Sequence, residues 1–425
     1  MDFPKEESQE LDPRATAALD KALSAFFDEL SAQWQMPAPE SIDPIRTLTN
    51  WLVKYDRWQP HITWLELFEI VSNAFDNYPE TRVQEPRKLK ELLSRDSFDQ
   101  AFQSLRSYLL AFPREYDLWI ELPQMPCWGA GEIPISRNLS IVEGVAPAKI
   151  PEAIVEPSFR VYLCIRTKGY GSSRIETTAV TAALSSTKQF LQLFRHQKVF
   201  KEASGLINVA MAQPAKCVLH DLGAPNAVTN IRLPSTISGF LATASLNETA
   251  LRVFEPGLRI LLDGTFREAQ TREEKVRAFR DATTTISKVM ETRVEKRLDT
   301  QRIRTALEWN FDADHADNQT LSFIQACIGL EALLGDDAED EPLVGRLADR
   351  AAYLLGQTEE DRKQIRKSFR AFYAVRSKVV HGRSARLRPS DVTQLHAALA
   401  MLRDVINEEA ARMLRAIKES EAKPK

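Results

Sequence analysis

Apolar positions recur every three or four residues at the start of the chain and again throughout its last third. The stretch between reads differently. Within 13–34, Ala18, Leu23, Phe26, Phe27 and Leu30 fall on one face at helical spacing. The prolines of MPAPESIDP mark a loop, after which helical spacing resumes over 48–55, 64–75 and 98–110. Near residue 115 the texture changes. YDLWIEL, SFRVYLCIRT and KCVLH are short, rich in branched and aromatic residues, and read as strands, with one helix over 186–200 interrupting them. From Arg267 onward helix signals dominate, and no proline occurs between Gly264 and Pro342. Val276, Phe279, Ile286 and Met290 give one packing face. LSFIQACIGLEALLG is apolar on nearly every side and belongs in the middle of a bundle. LVGRLADRAAYLLG, RKQIRKSFRAFYAVRSKVVHG and a last helix from Ser390 complete an antiparallel helical bundle.

This pattern divides the chain into a disordered tail (1–12), an N-terminal helical region (13–115), a mixed α/β domain (116–265), a C-terminal all-α domain (266–418) and a second disordered tail (419–425). Four of the seven tryptophans, Trp34, Trp51, Trp58 and Trp64, lie in the first helical region, where they read as aromatic cement between helices rather than a platform for bases. The middle domain has no Gly-rich phosphate loop and no nucleophile elbow.

Composition narrows the chemistry. The net charge is -3, so no global field marks a nucleic-acid or membrane binder. Cys127, Cys164, Cys217 and Cys327 are scattered, which argues against a zinc site or disulfide framework and fits a reducing cytoplasm. The start lacks a signal-peptide layout and no apolar run approaches a membrane span, so a cytoplasmic protein without membrane contact is expected. Asp312, Asp314, His315 and Asp317 form a small acid–histidine cluster of a kind that can catch a cation, but before a helix start they read as capping and solubilising residues, with Asp317 or Asn318 as N-cap. No metal or other cofactor is expected. His61, His196, His220 and His396 have no companions that suggest catalysis.

Local charge is another matter. Residues 362–388 hold ten basic residues and no acidic one. Within them, the apolar stripe Ile365, Phe369, Phe372 continues by four residues onto Arg376. An arginine on such a stripe needs an internal carboxylate or an anionic ligand, because its charge is costly to desolvate alone. Glu331 poses the mirror problem inside IQACIGLEALLG. A purely structural pair satisfies both residues, and a carboxylate that orients an arginine also prepares it for phosphate. His381 follows five residues after Arg376, about 140° around a continuous helix, but Gly382 is placed to end the helix there and let the imidazole turn. With Tyr373, Lys367, Arg370, Lys378, Arg383 and Arg386 nearby, the block suits a polyanion with exposed bases.

The segments LSFIQACIGLEALLG, LVGRLADRAAYLLG and FYAVRSKVVHG resemble the Apea-like branch of the HEPN superfamily over roughly residues 270–415. The defining arginine–histidine motif is R-S-K-V-V-H, from Arg376 to His381. The resemblance implies a helical bundle that dimerises and a metal-independent ribonuclease with Arg376 and His381 as catalytic groups, Glu331, Ser377 and Tyr373 supporting them. It also implies RNA as partner and a toxin or anti-phage setting, with an antitoxin or phage-derived trigger. Active family members often carry Asn, Asp or His directly after the arginine, where this chain has Ser377. A non-catalytic module for RNA or nucleotide binding and dimerisation is the alternative. A third reading is a toxin restrained by residues 1–265, which would show as cleavage that rises when they are removed.

Overall fold

The computed structural model describes residues 12–32, 39–75, 78, 81–147, 159–202, 215–224, 227–247, 271–291, 300–335, 343–382 and 386–422. Arg383, Trp34 and both chain ends lie outside these ranges. The architecture is mixed: helices at the start, a six-stranded antiparallel sheet in the middle and a helical region at the end.

The N-terminal unit consists of α1 (Pro13–Glu29), α2 (Pro39–Leu52), α3 (Trp64–Phe75), α4 (Leu89–Leu92) and α5 (Arg95–Ala111), with a two-residue pairing of β1 (Ser31–Ala32) and β2 (Arg87–Lys88). Asp12 caps α1, its side chain accepting from the Arg14 N–H at 3.0 Å. The loop expected over MPAPESIDP is replaced in part by α2. Pro39 opens that helix, where a missing N–H is harmless, and Pro44 forgoes one backbone bond inside it. Trp58 is fully buried, donates from Nε1 to the Leu109 carbonyl at 3.1 Å and packs against Trp51 and Tyr55. Trp64, by contrast, is 40% exposed beneath the Arg46 guanidinium.

The sheet runs β4-β5-β6-β3-β8-β9, from β3 (Arg114–Glu121), β4 (Glu132–Ser136), β5 (Leu139–Gly144), β6 (Arg160–Gly169), β8 (Cys217–Asp221) and β9 (Val228–Asn230). Its three central strands coincide with the segments legible in the sequence. Of the other three strands, β9 has only three residues and β4 contains Pro134 beside a register shift. Leu118, Ile120, Leu163, Ile165 and Leu219 alternate onto the face covered by α6 (Thr178–His196). The opposite face carries cross-strand ion pairs, Asp117 with Arg166 at 2.9 Å and Glu115 with Lys168 at 3.4 Å. The helix expected over 186–200 therefore starts eight residues earlier. Thr177 caps it, and Ala179, Val180 and Ala183 of its first turns are buried. A further helix, α7 (Ser235–Thr243), was not anticipated, nor was the short pairing of β7 (Phe200–Glu202) with β10 (Ala244–Leu246).

Glu66 joins the first unit to the second. Fully buried, it accepts from Thr63 N–H at 2.6 Å to cap its own helix. It also accepts from the Thr178 N–H at 2.5 Å and hydroxyl at 2.8 Å, at the positive end of α6.

The helical region comprises α8 (Arg272–Glu291), α9 (Thr300–Asp314), α10 (Gln319–Leu334), α11 (Leu343–Leu355), α12 (Glu359–Val380) and α13 (Val392–Ala422). The helix α13 continues through Ala422, so the disordered tail expected over 419–425 is corrected as far as Ala422, beyond the packed Met413, Leu414 and Ile417; 423–425 lie outside the described residues. α10 lies close to α9 and α13 because Gly329 has no side chain; a Cβ there would meet Leu402 Cδ2 at 2.9 Å and Trp309 Cβ at 3.3 Å.

The sheet unit and the helical region share one apolar cluster. Aromatic rings carry it across: Phe194 meets Phe279 of α8 with centroids 6.0 Å apart, Phe240 meets Phe311 of α9 at 5.7 Å, and Trp128 meets Phe279 at 5.4 Å. Each buried phenylalanine contributes about 1.5–3 kcal/mol of transfer free energy.

Beside these rings runs a polar seam between α6, α9 and α13. Asp314 accepts from Arg195 and Arg403, both at 2.5 Å, and from Gln192 at 2.9 Å. Lys188 pairs with Asp312 at 2.8 Å, and Ser185 donates to Glu308. Asp312 and Asp314 thus sit on α9 as anchors, not in a solvated loop. Asn318 is the N-cap, accepting from Leu321 N–H at 2.9 Å, and the His315 ring packs on Phe311. His196 bridges the seam, Nε2 lying 2.7 Å from Asn310 Oδ1 and Nδ1 2.9 Å from Asn407 Oδ1. Asp314 and Arg403 face it from α9 and α13.

Burial lowers the His196 pKa from its ordinary value near 6.5. The unfolded chain takes up this proton as pH falls through ~6.5 while the folded seam resists it, so the seam is fully stabilising above that value and weakens below it. We expect the urea midpoint to fall between about pH 7.5 and about pH 5.5, and to fall less in His196→Gln. Identical pH profiles for the two proteins would remove His196 from this role.

Candidate functional site

The helix α12 begins with a capping box. Thr358 Oγ1 accepts from Asp361 N–H at 3.1 Å, and Asp361 accepts in return from Thr358 N–H at 3.0 Å. Glu359, Glu360 and Asp361 in its first turn and Lys378 in its last complement the helix dipole. Phe369, Phe372, Tyr373 and Val375 are buried, and the stripe they belong to delivers Arg376 onto α10.

There the two ions isolated in the sequence meet. Arg376 Nη2 lies 3.0 Å from Glu331 Oε1 and 3.3 Å from Oε2, and the Tyr373 hydroxyl donates to Oε1 at 2.6 Å. The guanidinium carbon lies 5.4 Å from the Tyr373 ring centroid, within cation–π range. Burial, with the Glu331 carboxylate adding to it, raises the Tyr373 pKa, which keeps its proton on as a donor. Burial also pushes the Cys327 thiol up to about 12. The Arg376 and Glu331 side chains remain 23% and 24% exposed, so the pair opens to solvent rather than being sealed. Arg376 Nε is a buried donor with no partner among the described residues.

His381 closes α12. Its N–H bonds to the Ser377 carbonyl at 3.1 Å, Gly382 follows at φ +69°, and the Gly382 N–H reaches Val379 O at 3.2 Å. Glycine thus ends the helix where the sequence indicates. The helical bond to Ser377 nevertheless keeps His381 in register, and no hydrogen bond joins it to Arg376. At about 100° per residue the two diverge by about 140°. His381 is exposed, and its imidazole has no hydrogen-bond or ion-pair partner among the described residues.

The basic block splits into two sets. Arg366 is bound to Asp349 at 2.5 Å, and Arg362 donates to the Gly356 carbonyl at 3.3 Å; both guanidinium groups also lie against the Tyr353 ring. Lys363, Lys367, Arg370 and Lys378 are exposed, with no ion-pair partner among the described residues. Ser377 is exposed beside them. Arg386 is exposed just before α13, His396 is exposed on it, and Arg383 lies outside the described residues. Lys363 joins the exposed set by helical spacing alone, whereas nothing local in the sequence points to Tyr353. Among the described residues no group of three or more His, Cys, Asp and Glu side chains is set to hold a metal ion, and no helix is long and apolar enough to cross a membrane.

No family model, curated protein or solved structure matches the chain.

Proposed function

We propose that the chain is a metal-independent endoribonuclease of the HEPN type, working in a toxin or anti-phage defence setting. The observation that carries this reading is the end of α12: a guanidinium fixed by Glu331 and Tyr373, and five residues on an exposed imidazole without a partner. Metal-free cleavage needs a base for the ribose 2′-hydroxyl, an acid for the leaving 5′-oxygen and positive charge at phosphorus. Histidine can serve as either base or acid near neutral pH, and arginine offers a planar fork to the phosphate oxygens. The 2′-oxygen attacks phosphorus while one imidazole takes its proton. The P–O5′ bond breaks and a second imidazole protonates the 5′-oxygen, leaving a 2′,3′-cyclic phosphate and a 5′-hydroxyl. One His381 cannot perform both transfers from one side, and within one chain it diverges from Arg376. A twofold dimer through the helical region supplies a second Arg376 and His381 across a shared cleft.

The test is full-length protein with mixed RNA in EDTA. Cleavage to cyclic-phosphate ends, with DNA left intact, is the expected result. A dimeric preparation that binds RNA and never cleaves it overturns the nuclease reading. That outcome favours a non-catalytic RNA-binding and dimerising module, for which the engagement of Arg376 by Glu331 and the presence of Ser377 after it already speak.

A further inference from the structure

Helical geometry separates Arg376 from His381, but it aligns another set of side chains with the imidazole. At about 100° per residue, Lys363, Lys367, Arg370, Ser377, Lys378 and His381 fall within about 60° of one line along α12, opposite the buried stripe. All six are exposed, and the four cations among them have no ion-pair partner among the described residues. Arg366, on the flank of this line, has its charge taken up by Asp349 and Glu359, as Arg376 on the buried side does by Glu331. A chain of net charge -3 thus leaves a single file of uncompensated positive charge ending at an imidazole.

At the other end of the file stands Tyr353 of α11. It is 63% exposed, the aromatic ring set against Arg362 and Arg366 at 5.1 and 5.5 Å. An aromatic ring flanked by guanidinium planes is a surface on which unpaired bases stack, whereas a duplex keeps its base faces hidden. Ala374, exposed midway along the file, raises no bulk against a backbone lying on it. A lipid surface calls for apolar anchors interleaved with the cations, and the residues between them here are alanine and serine.

We propose that this face of α12, with Tyr353, is a track for single-stranded RNA. It deepens the reading of α12 as the nuclease helix and rests on it. The eighteen helical steps from Lys363 to His381 span about 27 Å, room for roughly four to five nucleotides of extended strand. Phosphates follow the file, and the base held at Tyr353 sets the distance to the bond presented at His381.

Binding of labelled eight-nucleotide RNA (roughly twice the track) and of the same sequence as duplex, measured in EDTA over a salt series, tests this in full-length His381→Ala. The single strand should bind about tenfold tighter than the duplex. Lys363→Ala, Lys367→Ala and Arg370→Ala should each flatten the slope of log K against log salt by about 0.7. Tyr353→Ala should weaken binding by about tenfold with the slope unchanged, and Tyr353→Phe should restore it. The track is wrong if duplex binds as well as single strand, or if the charge variants leave the slope where it was. It is equally wrong if vesicles of phosphatidylcholine and phosphatidylserine are bound through these residues while RNA is not. The two proposals fail separately. Wild type that never cleaves, with His381→Ala binding as described, removes the nuclease and keeps the track. Cleavage by wild type with binding indifferent to all four residues does the reverse.

Discussion

His381→Ala will lower RNA cleavage by about 10²-fold or more, from the usual size of positioned acid–base catalysis. It will do so without disturbing the fold. The imidazole has no hydrogen-bond or ion-pair partner among the described residues, and the backbone cap made by His381 N–H and Gly382 does not use it. Exposed substitutions of this kind shift stability by no more than about 0.5 kcal/mol. Loss of rate with an unchanged melting curve therefore reports chemistry. Lys367→Ala offers the contrast: it should weaken binding while sparing the rate at saturating RNA. Full activity in both His381→Ala and Arg376→Ala would place the chemistry elsewhere in the molecule.

The second large effect falls on stability, far from α12. Asp314→Ala should destabilise the chain by about 3 kcal/mol in urea denaturation. The Asp314 side chain is 2% exposed and accepts two guanidinium groups and the Gln192 amide. Removing it takes away the carboxylate that Arg195 and Arg403 share across the joint of α6, α9 and α13. Arg403→Ala should lose much less, under about 1 kcal/mol, because its side chain is 44% exposed and solvent screens its pair. An Asp314→Ala loss as small as that would mean that solvent reaches the seam and substitutes for the carboxylate.

These two sites show what a sequence exposes and what it withholds. Arg376 and Glu331 are legible together because one is an ion on an apolar stripe and the other an ion inside an apolar helix, and two such misfits solve one another. Asp314 looked like a loop acid because its partner Arg195 lies 119 residues away. No local pattern carries that distance. Glu66 was hidden for the same reason, its contact at Thr178 lying 112 residues on. Among the elements, α3 and the three central strands were legible because burial on one or both faces writes a clear period. The start of α6 is hidden because the branched residues of TTAVT (177–181) favour strands when read alone. The file of charge on α12 was visible as composition. Its separation into neutralised and free cations depended on acids in α10 and α11.

The apolar cluster shared by the sheet and the C-terminal helices decides how this chain can be taken apart. Cutting it near residue 265 would strip Phe194, Phe240 and Trp128 from the rings of α8 and α9, leaving a greasy, sticky raft. A liberated C-terminal fragment would then clump or be degraded before it could act. Any restraint exercised by the first 265 residues must be relieved by a shift within the intact polypeptide, and the two halves should live and turn over together in the cell.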